Sequence, residues 1–487
     1  MNRSSYIDLP ERFFARVRPV PVEKPRLLEF NRTLAAELGL DDATLGADEL
    51  AGIYSGNVIP PGVEPIAMAY AGHQFGHFVP QLGDGRAILL GEAQNRAGAR
   101  RDIQLKGSGR TPYSRNGDGR AALGPVLREY LVSEAMRALG IPTTRALAAV
   151  STGETVFRET ALPGAILTRV AASFVRVGTF QFFAARGDTE GVRQLADYVI
   201  DRHYPHAKPE QQPYLALLRA VTEAQASLIA SWMRVGFIHG VMNTDNMAVS
   251  GETIDFGPCA FLDSYDPAAV FSSIDQQGRY AYGNQPHAAI WNLARFAETL
   301  LPIIDASADR AVELASEVLA AFSTRFSDLS LAGLRRKLGL SAGEDGDAAL
   351  AADLLDAMHR NQADFTLTFR CLCDAAEREA ADARVRSLFV NPRDYDDWAS
   401  RWRARLAREA PAPEARAAAM RRVNPAFIPR NHRIQQVIDA AVEREDFSPF
   451  AKLSAALSQP YQPPEGFESY ADPPQPDERV LQTFCGT

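Results

Sequence analysis

The segment between His239 and Gly257 constrains the fold of this 487-residue chain more than any other part of the sequence. Asn246 follows His239 by seven positions, and an Ile-Asp-Phe-Gly sequence ends at Gly257. Amide and carboxylate oxygens are hard ligands of the kind that Mg²⁺ prefers. The pattern therefore predicts that Asn246 in a loop and Asp255 at the end of a hairpin hold Mg²⁺, with Mn²⁺ as the alternative ion.

The spacing of this His, the Asn and the Asp-Phe-Gly is typical of the catalytic and metal-binding loops of protein kinases. An isolated Asp-Phe-Gly often marks an ordinary turn. The kinase-like interpretation therefore depends mainly on the spacing of the His and the Asn. Lys106 ends a segment with strand-like alternation, and the helix predicted after it carries Glu129. In kinases a strand Lys reaches the phosphates and a helix Glu positions it. Glu134, on the same predicted helix, is the alternative partner of Lys106.

A glycine-containing loop precedes this lysine. Gly83, Gly85 and Arg86 lie between two predicted strands, where backbone N–H groups and a guanidinium can bind phosphate. By itself Gly-x-Gly indicates only a hairpin turn, so this loop supports nucleotide binding only together with Lys106.

One position departs from the kinase pattern. Kinases carry the catalytic Asp two residues after the loop His, and Val241 stands there in this chain. Because a valine side chain cannot accept a proton, ordinary transfer of the γ-phosphoryl group is disfavoured. Asp245 is the nearby carboxylate that can serve as the base if the nucleotide binds in another orientation. The competing interpretation is a structural Asp that caps a turn.

The order of predicted elements indicates an α+β, protein-kinase-like fold of two lobes with additions at both ends. We expect an N-terminal extension over residues 1–80 and an N-lobe of strands plus one helix over 81–175. A C-lobe with the catalytic and metal loops is expected over 176–325, followed by a C-terminal helical region and tail over 326–487. The chain is too long for a single ordinary core, which agrees with this division.

Local patterns predict individual elements of this fold. Helices are predicted over 26–38, 123–139 and 214–233, strands around 81–91, 101–106, 155–157 and 165–170, and a tight hairpin about a Ser-Gly turn over 247–255. From 291 to 422 the chain is expected to be helical, with breaks near 343–346 and 411–413. The last stretch, 459–487, is rich in proline and is expected to be an extended tail.

Composition excludes several classes of function. Hydrophobic residues make up 46% and charged residues 23%, as in a folded globular protein. A net charge of −8 argues against nucleic acid as a partner. No segment resembles a membrane span or a targeting peptide, so a cytoplasmic location without membrane attachment is expected. Four cysteines do not make a disulfide framework, and Cys371-x-Cys373 lacks the spacing of a zinc site.

Longer motifs resemble one family across essentially the whole chain. They are YAGHQFG at 70–76, QLGDGRA at 81–87, LKGSGRTPYSR at 105–115, GDGRAALG at 117–124, HGVMNTDNM at 239–247, IDFGP at 254–258 and NPAFIPRNHRI at 424–434. Together with a Cys three residues from the C-terminus, these runs are similar to selenoprotein O, and they are far more specific than the kinase motifs that they contain.

This resemblance implies a pseudokinase that binds ATP in a flipped pose and transfers AMP to Ser, Thr or Tyr hydroxyls of other proteins. Asp245 would be the base, Asn246 and Asp255 the metal ligands, and Lys106 a phosphate-binding lysine paired with Glu129. The residues that would line the nucleotide or reach its phosphates are Gly83, Gly85, Arg86, Lys106, Asp118, Gly119, Arg169, Arg176 and Asp255. Pyrophosphate would leave, and its growing charge calls for fixed cations.

The family carries selenocysteine or cysteine near the C-terminus, and Cys485 has that place. The resemblance implies redox control through a disulfide, with Cys259 as one candidate partner, while an idle tail thiol is the alternative. His73 and His77 are four positions apart, but the glycines and proline around them disfavour a helix, so both are interpreted as structural. A conventional kinase and a nucleotide-binding scaffold without chemistry are the alternative functions.

Overall fold

A large antiparallel sheet forms the N-terminal part of the structure, a computed structural model that describes residues 1–41 and 44–484. The strands are β1 (Phe14–Arg16), β2 (Arg26–Phe30), β3 (Ile66–Met68), β4 (Gly72–Gln74), β5 (His77–Val79), β6 (Ala87–Gln94), β7 (Arg100–Lys106), β8 (Ala121–Ala122), β9 (Arg145–Phe157), β10 (Ala161–Ala171), β11 (Phe237–Ile238) and β12 (Ala260–Phe261). The main sheet has the order β1-β3-β6-β7-β10-β9-β2, and β8 pairs with β10. Two short pairs, β4 with β5 and β11 with β12, lie outside it.

Helices follow this sheet and dominate the rest of the chain. They are α1 (Arg32–Glu37), α2 (Ala47–Ser55), α3 (Leu123–Ala138), α4 (Val177–Ala184), α5 (Thr189–His203), α6 (Pro213–Val235), α7 (Gln285–Ile304), α8 (Ala308–Lys337), α9 (Asp347–Arg360), α10 (Phe365–Ala375), α11 (Asp382–Arg386), α12 (Pro392–Leu406), α13 (Pro413–Arg421), α14 (Asn431–Arg444) and α15 (Ser448–Leu457). The chain is therefore α+β, as expected from the sequence.

Successive side chains of β7 point to opposite faces of the main sheet. Ile103 and Leu105 are fully buried on one face, so Gln104 and Lys106 point to the other. In the pairing of β7 with β10, Arg169 lies opposite Gln104. Directly opposed residues of an antiparallel pair share a face, so Arg169 emerges beside Lys106. Helix α3 packs against β9 and β10 and brings Glu129 to the same place.

Two large apolar clusters stabilise the described part of the chain. The first joins α3 and strands of the main sheet to α4–α8, α14 and α15. The second lies mainly among α9–α13 and contains Trp398 and Trp402, whose stacked rings have centroids 5.3 Å apart. Burial of this much apolar surface provides most of the driving force for folding.

Several predicted elements are confirmed. Helices α3 and α6 match the segments predicted over 123–139 and 214–233, and α6 ends at Gly236 with a left-handed φ of 73°. The helical region after residue 291 is interrupted between α8 and α9 and between α12 and α13, near the predicted breaks. Within 459–484 the only helix is a short 3₁₀ turn over Glu468–Ala471, in keeping with an extended tail.

The helix predicted over 26–38 is wrong in its first half. Residues 26–30 form β2, which pairs with the edge of β9, and the helix begins only at Arg32. Asn31 separates the two elements because its side chain accepts a hydrogen bond from the backbone N–H of Leu34. A capping residue of this kind starts a helix and ends the strand before it.

Two other predicted elements differ from the structure. The strand predicted around 81–91 starts only at Ala87, because Gly83 has a left-handed φ of 77° and Asp84 turns inward to accept a hydrogen bond from the backbone N–H of Met68. The hairpin predicted over 247–255 does not form. Instead, Ala248 pairs with Arg176 and Thr253 pairs with Thr143, so each half of this segment bonds to a distant part of the chain.

None of the helices in residues 1–41 and 44–484 combines the length and the apolar character needed to cross a bilayer.

Candidate active site

The residues predicted from the sequence converge on one cavity of about 870 Å³ between the main sheet and the segment that follows α6. Twelve of the predicted site residues line it: Gly83, Gly85, Arg86, Lys106, Asp118, Gly119, Glu129, Arg169, Arg176, Asp245, Asn246 and Asp255. A volume of this size is typical of a cofactor or substrate pocket. Cys485, the redox candidate, lies outside the described residues, so its role stays a prediction.

Lys106 and Glu129 form a buried ion pair at the base of the cavity. The Lys106 Nζ lies 2.6 Å from Glu129 Oε2 and 3.0 Å from Asp255 Oδ1. Glu134, the alternative partner, lies elsewhere: its carboxylate accepts two hydrogen bonds of 2.8 Å from Arg145. The geometry therefore pairs Lys106 with Glu129 and gives Glu134 a structural contact at the other end of the helix.

Two arginines complete a cluster of cations around Asp255. Arg169 Nη1 is 2.5 Å from Asp255 Oδ1 and 3.1 Å from Glu129 Oε1. Arg176 Nη1 is 3.4 Å from Asp255 Oδ2, and its guanidinium lies 4.4 Å from the ring centre of Tyr70. Both arginines are only 2% exposed. Buried charges of this kind must be paired, and Asp255 and Glu129 pair them here.

Asp255 combines a lowered side-chain pKa with an unusual backbone conformation. Burial alone would raise the pKa of its carboxyl group, but Arg169, Lys106 and Arg176 outweigh burial and hold that pKa well below its usual range. Its backbone φ is +62°, a left-handed conformation that costs a non-glycine residue free energy. The carboxylate is therefore ionised and held in a strained backbone conformation at the cavity wall.

Residues 239–246 have the spacing of a kinase catalytic loop, and we call them the catalytic loop for that reason. They bring the remaining oxygens to the same cavity. The amide Nδ2 of Asn246 donates to the carbonyl of Val241 at 3.0 Å, which assigns the amide nitrogen and leaves the amide oxygen as the possible ligand. His239 is buried, and its Nε2 lies 2.8 Å from the carbonyl of Ile254, tying this loop to the segment before Asp255. Burial raises the pKa of the Asp245 carboxyl to about 6.

The Asn246 and Asp255 side chains fit a divalent cation of the Mg²⁺ type in donor chemistry, since both offer oxygen. Among residues 1–41 and 44–484, no group of three or more His, Cys, Asp or Glu side chains is arranged to hold a metal. A cation at this site would thus take only a few ligands from the protein and the others from phosphate oxygens and water. This is the usual way in which Mg²⁺ is bound in phosphate-transfer sites.

The glycine-rich side of the cavity is shaped by close backbone packing. A Cβ atom on Gly83 would lie 2.3 Å from the Tyr113 ring, and one on Gly119 would lie 2.1 Å from the carbonyl oxygen of Gly109. Both glycines have a left-handed φ, so any other residue would be strained as well as crowded. Asp118 is held by Arg158, with Nη–Oδ distances of 2.8 and 3.1 Å.

Sequence reasoning missed three residues that support the cations. Asp84 is buried, and its Oδ2 accepts a hydrogen bond of 3.1 Å from Gln104 Nε2. Gln104 in turn accepts a hydrogen bond from Arg169. The ring of Tyr70 supports Arg176. The alternation of β7 places Gln104 on the same face as Lys106, but no local signal pointed to Asp84 or Tyr70.

Comparison with known proteins shows the family of the chain. The sequence model of the family described as "Protein adenylyltransferase SelO" matches residues 2–458. The chain belongs to the SelO family. Family members that it resembles include two named "Protein nucleotidyltransferase YdiU", from Bradyrhizobium sp. strain BTAi1 and Rhizobium meliloti strain 1021. They are 64% and 63% identical to it over 485 and 484 residues, with 99% of each relative covered.

Membership of the SelO family gives the enzyme class. The family and its members carry the names of nucleotidyltransferases, so the chain is a nucleotidyltransferase. The resemblance stated from the sequence motifs is confirmed over nearly the whole length.

The cysteine at position 259 is 1% exposed, and burial raises the pKa of its thiol to about 12, so it is not a reactive thiolate at neutral pH.

Proposed function

We propose that this chain transfers AMP from ATP to Ser, Thr or Tyr hydroxyl groups of proteins and releases pyrophosphate. The observation that carries the proposal is the position of Lys106, Arg169 and Arg176 at the buried end of the cavity, 9%, 2% and 2% exposed. Cations at the buried end favour a nucleotide whose β- and γ-phosphates point inward. The α-phosphate then lies nearer the catalytic loop.

We further propose that the sheet with α3 and the helices after it correspond to the two lobes of a protein-kinase-like fold. The Lys106–Glu129 pair and the Asn246–Asp255 pair supply the parts that such a fold uses for nucleotide binding. Arg169 and Arg176 place charge at the buried end of the cavity. Such charge favours phosphate groups over the base at that end, which supports the flipped orientation implied by the resemblance.

Asp245 is the proposed base. The acceptor hydroxyl gives its proton to the Asp245 carboxylate, its oxygen forms a bond to the α-phosphorus, and the bond between the α-phosphorus and the bridging oxygen breaks. The leaving pyrophosphate keeps that oxygen and its electron pair. Lys106, Arg169 and Arg176 stabilise the charge that develops on it.

Asn246 and Asp255 are the proposed holders of Mg²⁺, with Mn²⁺ as the alternative. When bound, the cation would neutralise phosphate charge and help to orient the α-phosphate. Asp255 is paired with three cations in the structure. We propose that the phosphates take over those cations, which frees the carboxylate for the metal.

Isotope transfer separates this proposal from its alternatives. The chain is incubated with Mg²⁺, acceptor proteins and ATP labelled at either the α- or the γ-phosphate, and protein-bound label is measured. Only α-label is expected to become bound, and Asp255→Ala is expected to abolish its transfer while Asp201→Asn, at an exposed surface site, keeps it. Transfer of γ-label would indicate a conventional kinase, and no transfer a scaffold; either result contradicts the proposal.

A further inference from the structure

The β4–β5 hairpin lies directly against the catalytic loop and has no role in the function proposed above. Its turn is made by Phe75 and Gly76, both with left-handed φ values of 50° and 86°. The turn therefore folds β5 back on β4 and leaves β4 next to the loop. Contacts between the two elements involve consecutive residues on both sides, which makes this a continuous interface.

Three hydrogen bonds tie the hairpin to the loop. The backbone N–H of His73 donates to Thr244 Oγ1 at 2.7 Å, and that of Phe75 donates to Asn243 Oδ1 at 3.0 Å. Between them, Gln74 Nε2 donates to Asp245 Oδ2 at 3.2 Å. Two backbone donors thus fix the residues before Asp245, and one side chain contacts the proposed base itself.

The two oxygens of Asp245 have different surroundings. Oδ1 is buried and has no hydrogen-bond partner. It faces Gly72, because a Cβ atom built on Gly72 would lie 2.7 Å from it. Since Gln74 and Asp245 both line the cavity and Oδ1 is inaccessible, a hydroxyl that enters from the cavity must approach Oδ2.

We propose that the β4–β5 hairpin is the element that positions the catalytic base, and that Gln74 is its positioning residue, orienting Asp245 so that Oδ2 faces the acceptor hydroxyl. The inference rests on the proposed function of Asp245. Gly72 provides the space into which Oδ1 turns. Gln74 acts through Asp245 and does not bind phosphate, so its loss affects the rate of transfer more than the binding of ATP.

The first test compares three variants in the α-label assay. Gln74→Leu removes the donor, and Gly72→Ala places a methyl group against Oδ1. Both are expected to lower kcat about tenfold, the loss typical of one hydrogen bond, with KM for ATP changed less than about twofold. Asp201→Asn, at an exposed position of α5 outside the hairpin and the cavity, is the control and is expected to keep the kcat of the unchanged chain.

A double substitution distinguishes positioning from general support of the fold. In an Asp245→Asn background the base is absent, so adding Gln74→Leu is expected to cause no further loss of residual transfer. An additive loss, or a Gln74→Leu variant as active as the unchanged chain, would overturn this inference alone. If Gln74→Leu fails to fold, Gly72→Ala decides, and unchanged kcat there is the contradicting result. Absence of α-label transfer by the unchanged chain would overturn the proposed function and this inference with it.

Discussion

At the scale of single residues, the site is organised by buried ion pairs that several side chains share. Lys106, Arg169 and Arg176 share the carboxylates of Glu129 and Asp255. Removing one partner of a buried ion pair is costly because the other charge is left uncompensated. In the proposed function, an entering triphosphate takes the place of Asp255 as a partner of these cations, so no buried charge is left unpaired.

Two glutamates on α3 provide a matched test of this charge network. Glu129→Gln weakens the contacts that hold both Lys106 and Arg169, so kcat/KM for ATP is expected to fall at least about tenfold. Glu134→Gln changes the same residue type on the same helix but loses contacts to Arg145 instead. It is expected to keep kcat/KM within about twofold. Equal losses in the two variants, measured by steady-state transfer of α-label, would contradict the assignment.

At the scale of elements, local patterns predicted what local forces determine. The helical period of α3 and the strand alternation of β7 are visible in the sequence, so Lys106 and Glu129 were both identified. The structure shows the hydrogen bond between them. The failed hairpin over 247–255 has a real turn signal, but its two halves bond to Arg176 and Thr143. Contacts between residues far apart in the sequence produce no local sequence pattern. The β4–β5 hairpin and its contacts with the catalytic loop were missed for the same reason.

The turn after the catalytic loop joins several elements through one half-buried carboxyl group. Glu252 Oε2 accepts hydrogen bonds from the backbone N–H of Ala172 and from Ser250 Oγ, at 2.8 and 3.2 Å. Burial raises the pKa of this carboxyl group, and these hydrogen bonds and Arg101 lower it by a smaller amount. The net result is a pKa of about 7 instead of 4.5. The folded state therefore binds more protons than the unfolded state between these two pH values, and the group lowers stability as the pH rises through that window.

Glu252→Gln tests this linkage. The amide oxygen still accepts the Ala172 bond but does not ionise, so the variant should gain stability relative to the unchanged chain as the pH rises from 4.5 to 8. The expected gain is at most roughly 3 kcal/mol, from the size of the pKa shift. Apparent unfolding temperatures of both proteins across this range measure it. A difference in unfolding temperature that stays constant at all pH values would contradict the raised pKa of Glu252.

At the scale of the whole molecule, the sequence predicted an α+β chain, and the structure brings every described site residue to one cavity. They did not predict that β1, β2 and β3, from the first 80 residues, join the main sheet. They also did not predict the separate apolar cluster of α9–α13. Sheet membership and core membership are decided by long-range packing, whereas site residues belong to short motifs with a chemical requirement.

The central claim is that the phosphates of ATP point into the buried, cationic end of the cavity. A crystal structure of the chain with Mg²⁺ and a non-hydrolysable ATP analogue tests it most directly. The account predicts β- and γ-phosphates within hydrogen-bond distance of Lys106, Arg169 and Arg176, with the cation between Asn246 and Asp255. A nucleotide whose base fills that end, with its γ-phosphate next to Asp245, would contradict it.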